Sequence, residues 1–122
     1  IMPKKSSIIN ITSLGSQRVL SNYFSVGISK ATLESMTRYL AIELGKRGIR
    51  VNSISPGIIK TNALDSFPEE SDINNSKLYE TPAGKPLEGK DVSHLVNFLI
   101  SEESEMIRGQ NIIIDGGRSL NI

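Results

Sequence analysis

Gly48-Ile49-Arg50-Val51-Asn52-Ser53-Ile54-Ser55-Pro56-Gly57 is the stretch whose reading decides the fold. Its β-branched residues Ile49, Val51 and Ile54 sit in a short run with a glycine before it and Pro-Gly behind it, which is the pattern of a buried strand. Upstream, the chain from Tyr23 to about Leu44 has no proline, and Ala31, Glu34 and Ala41 are good helix formers. Leu33, Met36, Leu40 and Leu44 recur there at three- and four-residue steps, so this segment is expected to form one long helix with a single apolar stripe. Gly45 and Gly48, with Lys46 and Arg47 between them, supply its C-terminal stop. Further back, Ser7-Ile8-Ile9-Asn10-Ile11-Thr12 reads as another short strand, and Ser13 to Asn22 as a loop.

Downstream, residues 62–86 are polar, irregular and rich in Asn, Ser, Glu and Pro. Connections this long are functional lids or disordered segments, and short helices are conceivable within it near Asn62–Ser66 and Ile73–Glu80. Asp91 is expected to cap a helix carrying Val92, Leu95, Val96, Leu99 and Ile100. A turn at Arg108-Gly109 then leads into a third strand, Gln110 to Asp115, followed by Gly116-Gly117. The order strand, helix, strand, lid, helix, strand predicts an α/β architecture with parallel strands, apolar on both faces, under packed helices. At 122 residues the chain holds one domain with a real core and is too short for two.

Composition removes several classes of function. A net charge of +1 makes no general case for nucleic acid or an acidic membrane as partner. The absence of cysteine rules out disulfides, thiolate catalysis and cysteine-ligated zinc, and fits a reducing, cytoplasmic setting. His94 is the only histidine and falls on a predicted amphipathic helix, so it is read as a half-exposed polar residue, and no metal site is expected. Apolar runs stop at four to six residues, too short to span a membrane, and Ile1-Met2-Pro3-Lys4-Lys5 has no apolar segment behind it to make a signal peptide. Asn10-Ile11-Thr12 and Asn74-Asn75-Ser76 match the glycosylation pattern by chance.

The pair that carries chemistry is Tyr23 and Lys30. Seven helical steps of ~100° bring them within ~20° of the same face, ~10 Å apart along the axis, where they can contact two parts of one extended ligand. Gly27 lies between them on that face. A glycine inside a helix costs ~1 kcal/mol against alanine, so it marks a close approach to a ligand or to a neighbouring element.

Several motifs then occur in one order: Ile9-Asn10-Ile11-Thr12-Ser13, the Tyr23 to Leu33 segment with Lys30-Ala31-Thr32-Leu33, Glu43-Leu44, the Gly48 to Gly57 strand, and Arg108-Gly109-Gln110 through Asp115-Gly116-Gly117. Together they resemble the C-terminal, catalytic half of the short-chain dehydrogenase/reductase family, over nearly the whole chain. The common members of that family carry Tyr-x3-Lys. Here the fourth residue before Lys30 is Val26, which has no proton to give, and Tyr-x6-Lys resembles the enoyl-acyl carrier protein reductases. Ser13 holds the place of the family's usual catalytic serine, where some enoyl reductases carry a second tyrosine. Leu14-Gly15-Ser16 and the ending Asp115 to Leu120 look most like the type III enoyl reductases, which are NADPH-dependent.

The resemblance implies a fold, the C-terminal half of a Rossmann-like doubly wound parallel sheet, and a reaction, reduction of a 2-enoyl thioester by a nicotinamide hydride in fatty acid biosynthesis. It implies Tyr23 as donor to the thioester oxygen, Lys30 as ligand of the nicotinamide ribose, and Ser13 near the substrate or as a plain turn residue. Placing the tyrosine three residues earlier shifts it ~4.5 Å along a helix, in the sense conjugate reduction needs. Pro56, Gly57, Ile59 and Thr61 are the expected cofactor contacts at a strand end. Residues 62–86 become the substrate lid, with Ala63, Leu64 and Phe67 as acyl-pocket candidates. The cofactor is expected to be NADPH, with NADH possible, and the partners an acyl carrier protein-bound substrate and three further copies in a homotetramer. Arg18 and Lys60 are candidates for a basic carrier-protein patch, against a bland role as solvated charges. The glycine-rich phosphate turn is absent from these residues, so the isolated segment is expected neither to fold well nor to turn over. A carbonyl reductase of the same family, acting on 3-oxoacyl thioesters, and a non-catalytic nucleotide-binding member remain the alternatives.

Overall fold

The computed structural model describes residues 2–60 and 79–120. The strands are β1 (Ser7–Ile11), β2 (Arg50–Pro56) and β3 (Asn111–Ile114), and the two long helices are α1 (Phe24–Gly45) and α2 (Gly89–Ile100). All strand pairs are parallel, and β2 is central in the order β1-β2-β3. The register runs from Ser7 opposite Arg50 to Ile11 opposite Ile54, and from Ser53 opposite Asn111 to Pro56 opposite Ile114. The expected α/β alternation is present; β1 is one residue and β3 two residues shorter than the sequence pattern suggested, and β2 keeps its length, shifted by one residue, the ordinary latitude of element ends.

Side chains alternate across a strand, so two contacts assign the helices to faces. Asn10 Nδ2 donates to Thr37 Oγ1 at 2.8 Å, which puts α1 on the face of Asn10 and its register partner Ser53. Ser7 and Arg50 point the other way. There the Arg50 guanidinium donates to Ser7 Oγ at 2.9 and 3.1 Å and to the main-chain carbonyls of Ile100 and Ser101 at 2.9 and 2.7 Å. The last carbonyls of a helix have no intrahelical donor, so a buried cation closing the end of α2 also locks that helix to the second face. The sheet is therefore covered on both sides, as a doubly wound parallel sheet must be.

Three expectations need correction. The strands were expected to be apolar on both faces, yet Arg50, Asn52, Ser53 and Ser55 of β2 are as buried as Val51 and Ile54. Arg50, Asn52 and Ser53 are met by hydrogen bonds: Asn52 Nδ2 donates to the Ile107 carbonyl at 2.7 Å and its Oδ1 accepts from Gln110 N at 3.0 Å, pinning the turn that starts β3. Second, the face of α1 turned to the sheet is not the Leu33, Met36, Leu40, Leu44 stripe. The buried residues are Gly27, Glu34, Thr37 and Ala41; Leu33, Leu40 and Leu44 are half-buried and Met36 is exposed. The helix is rotated so that small and polar residues meet the sheet, which lets it approach closely. Third, Asp91 is not the cap of α2 but its third residue. It accepts from Glu88 N at 2.9 Å in a capping box whose cap is Glu88.

Arg50→Ala would leave two α2 carbonyls and the Ser7 hydroxyl without their charged donor. It is expected to lower the unfolding free energy of the full-length protein by about 3 kcal/mol, measured by urea denaturation, with the slope of the transition unchanged.

Candidate active site

β1 ends at Ile11, and the chain turns at once. Ser13 Oγ accepts from Gly15 N at 3.0 Å, and Ser16 Oγ donates back to the Ser13 carbonyl at 2.7 Å, so residues 13–17 close into a single 3-10 turn, Leu14–Ser16. The loop then passes Asn22, in the left-handed region at φ 58°, and delivers Tyr23 at the N-cap of α1. Tyr23 has φ −116° and ψ 12°, so it precedes the first helical turn. The estimate of its position from an ideal helix is corrected accordingly, since only Phe24 onward follows helical geometry.

Two glycines set the tyrosine ring. A methyl group on Gly15 would lie 2.5 Å from Cδ1 and Cε1 of Tyr23 and 3.2 Å from Ser13 Oγ, so the ring and the hydroxyl flank Gly15 closely. A methyl group on Gly27 would stand 2.7 Å from the Gly15 carbonyl oxygen. Gly27 is thus where α1 touches the turn, which explains a glycine in mid-helix. Lys30 lies one turn further on, half-buried, with Nζ donating to the Ile11 carbonyl at 3.0 Å. Ser13, Tyr23 and Lys30 are therefore gathered at the C-terminal end of β1. One of the three N–H groups of the ammonium is used on Ile11, and the other two suit a vicinal diol.

The neighbouring strand end carries Pro56 and Gly57. Gly57 N donates to Ile114 O at 2.9 Å, continuing the pairing with β3, and a methyl group on Gly57 would meet Asp115 Cβ at 2.8 Å. Pro56, Gly57 and Ile59, expected as cofactor contacts, are half-buried at and just beyond the end of β2, the strand paired with β1. Thr61, Ala63, Leu64 and Phe67 lie outside the described residues, as does the short helix considered near Asn62–Ser66 and, apart from Tyr79 and Glu80, the one considered near Ile73–Glu80. Residues 81–83 are anchored: Ala83 N donates to Gly116 O at 3.1 Å, and Thr81 and Pro82 pack on Gly116 and Gly117, both in the left-handed region at φ 62° and 86°. Asp115, buried at the head of that turn, accepts from Gly117 N at 2.9 Å and Ser119 N at 2.6 Å. Arg18, offered as a carrier-protein contact, donates to Ser119 O at 2.6 Å, while Lys60 is exposed.

Sequence reasoning missed Glu34, Asp115 and Gly15 as parts of this region. The available signal was glycine spacing, since Gly15 and Gly27 become meaningful only as a pair. Among the described residues no group of three acidic or histidine side chains could hold a metal, and no helix is long and apolar enough to cross a membrane.

A hydroxyl, a phenol and an ammonium at the C-terminal edge of a covered parallel sheet define the class, an open α/β protein with a ligand site at its strand ends. A family model described as enoyl-(acyl carrier protein) reductase matches residues 1–119. The enoyl-acyl-carrier-protein reductase (NADH) FabI of Bacillus subtilis is 35% identical over 117 residues, covering 96% of this chain and 45% of that protein. Among solved structures, the Plasmodium berghei enoyl-acyl-carrier-protein reductase with triclosan superimposes with a TM-score of 0.88 at 34% identity, covering 98% of this chain and 42% of that one. The Bacillus cereus reductase with NADP+ and indole naphthyridinone gives 0.85 at 33% identity, covering 96% and 46%. The chain belongs to the enoyl-(acyl carrier protein) reductase family of short-chain dehydrogenases/reductases, and it spans just under half the length of the relatives it matches.

Burial alone would raise the Asp115 carboxyl, but the hydrogen bonds from Ser119, Gly117 and Arg118 outweigh it and hold the group below the usual carboxylate range. Its stabilising contribution is therefore complete above the ordinary value of about 3.9 and is lost as pH falls through the lowered value. Asp115→Asn is expected to flatten the acid limb of the stability–pH curve below about pH 4, measured by thermal melts of the full-length protein, and to loosen residues 81–86 in hydrogen exchange.

Proposed function

We propose that this chain is the catalytic half of a reductase that saturates the 2,3 double bond of enoyl thioesters carried on acyl carrier protein, in fatty acid biosynthesis. The observation that carries the reading is the position of the proton donor. Val26 stands four residues before Lys30, where a carbonyl reductase of this family would need its tyrosine, and the phenol is found instead at the N-cap, against Gly15. In conjugate reduction the oxygen that gains charge is two carbons away from the carbon that receives hydride, so the donor must be displaced from the ketoreductase position.

In this reading a nicotinamide cofactor, when bound, supplies the hydride. The Tyr23 hydroxyl donates to the thioester oxygen as it becomes an enolate, and such a donor is typically worth ~3–4 kcal/mol. Lys30 would hold the ribose hydroxyls of the cofactor. Pro56, Gly57, Ile59 and Thr61 would border the nicotinamide, and Ser13 would add a hydrogen bond beside the substrate. Ala63, Leu64 and Phe67 are the acyl-pocket candidates. NADPH is the preferred cofactor on the strength of the Ser13-Leu14-Gly15-Ser16 and Asp115 to Leu120 segments. NADH is the alternative that the names of the relatives carry. The setting is cytoplasmic. Phe24, Ile28, Tyr39 and Ile42 are 81, 54, 76 and 75% exposed along the outer face of α1, an apolar surface of the kind subunit contacts cover, which supports a homotetramer.

In the full-length protein, Tyr23→Phe is expected to lower crotonyl-thioester reduction by roughly 10²–10³-fold, followed as NADPH oxidation. An unchanged rate would sink the assignment. Acetoacetyl thioester turned over in preference to crotonyl thioester would instead select the ketoreductase, and NADPH binding without turnover of either would select a non-catalytic member. Gly15→Ala pushes on the Tyr23 ring and is expected to cost about tenfold in kcat, ~1.4 kcal/mol, with the KM for cofactor nearly unchanged.

A further inference from the structure

Glu34 is 7% exposed on the sheet-facing side of α1. A carboxylate is costly to bury unless hydrogen bonds replace its water. Among the described residues no lysine or arginine pairs with it. Its partners are the Ser16 hydroxyl on Oε1 and Gln17 Nε2 on Oε2, the latter at 3.2 Å. Both belong to the turn between β1 and Tyr23. The Ser16 hydroxyl has a single proton and lies between two acceptors, Glu34 Oε1 and the Ser13 carbonyl at 2.7 Å, which share it, so one side chain bridges Glu34 to the main chain of Ser13.

Packing does not ask for this arrangement. The other buried positions of α1 are Gly27, Thr37 and Ala41, and the bond from Asn10 to Thr37 already holds the helix to the sheet. A leucine or methionine at position 34 would cover the same surface without a charge to compensate. What the carboxylate adds is a two-point hold on residues 16 and 17, with both oxygens used.

We propose that Glu34 is a positioning residue for the reaction: it fixes the 13–17 turn on α1, and through that turn fixes the Ser13 hydroxyl and the Tyr23 ring. This rests on the function proposed above. The coupling is tight because the turn has no slack. Gly15 lies against the Tyr23 ring on one side and against Gly27 on the other, closely enough that a single methyl group at either glycine would collide. A turn released from Glu34 shifts Gly15, and the phenol oxygen shifts with the ring. Misplacement of a reacting group by about 1 Å can cost ~10²-fold in rate. Lys30 is held separately, by Ile11 O, so cofactor binding is not routed through Glu34.

The test uses the full-length protein with crotonyl thioester and NADPH. Glu34→Ala is expected to lower kcat by ~30–100-fold while the KM for NADPH stays within about twofold. Glu34→Gln, which keeps an acceptor for Gln17 and a polar partner for Ser16, is expected to recover most of the rate. Ser16→Ala, a change at a half-buried turn residue, is expected to cost about tenfold and covers the case in which Glu34→Ala does not fold. A residue acting mainly through Tyr23 loses most of its effect when the Tyr23 hydroxyl is gone, so Glu34→Ala should slow Tyr23→Phe by far less than it slows the wild-type enzyme, the remainder passing through Ser13. Wild-type kcat in Glu34→Ala or Ser16→Ala, or full additivity in the double variant, overturns the proposal while a slow Tyr23→Phe leaves the reductase reading standing. A Tyr23→Phe enzyme at wild-type rate overturns both.

Discussion

A parallel strand with neighbours on each side and helices above and below has no access to water, so every polar group it carries must be met inside the protein. β2 is such a strand, and four of its residues are polar. Satisfying them arranges much of what surrounds it. Arg50 closes the end of α2 and ties it to Ser7. Asn52 takes hold of the 107–110 turn with both ends of its amide, which sets where β3 begins. Ser53 shares the Asn111 side chain with Thr12, joining all three strands on the α1 face. A core made only of apolar side chains would bury comparable area without specifying which turn docks where.

The same logic reappears at the C-terminal end of the sheet, where it holds the turns that carry Ser13, Tyr23 and Gly57. The turn after β1 is held by the Ser13–Ser16–Glu34 bonds and by the Gly15–Gly27 contact. The turn after β3 is held by the Asp115 carboxylate on Gly117 and Ser119. Arg18 links the two through the Ser119 carbonyl. Ser13, Tyr23, Lys30 and Gly57 thus sit on a rim whose loops brace one another, while residues 81–83 rest on Gly116 and Gly117. Groups of this kind are useful only when held within a fraction of an ångström, and hydrogen-bonded loops on a rigid sheet supply that.

Much of the fold was legible because strands and helices leave periodic traces. The breakers around residues 49–55, the helix of 22 residues and its glycine stop, and the helix before β3 were all readable from spacing and composition. Rotation of α1 was not. Periodicity in Leu33, Met36, Leu40 and Leu44 shows that an apolar stripe exists, but α1 carries a second apolar row at Phe24, Ile28, Tyr39 and Ile42, and a one-dimensional pattern does not say which surface meets the sheet. Buried polar residues were invisible for a related reason. Nothing in the spacing of Asn52, Thr37 or Glu34 marks them as buried hydrogen-bonding residues until partners from distant parts of the chain are brought beside them.

Local chemistry in this sequence determined an alternating α/β chain, a lysine seven residues after a tyrosine, and a valine where a proton donor would otherwise stand, because covalent order alone sets spacing and side-chain type. Tertiary structure alone decided that Tyr23 stands outside the helix rather than on it, that Gly15 and Gly27 touch across the loop, and that Glu34 faces inward to hold the turn. Those are contacts between segments far apart in the chain, and they exist only once β1, β2 and α1 have packed, when a missing methyl group or a buried carboxylate acquires a neighbour.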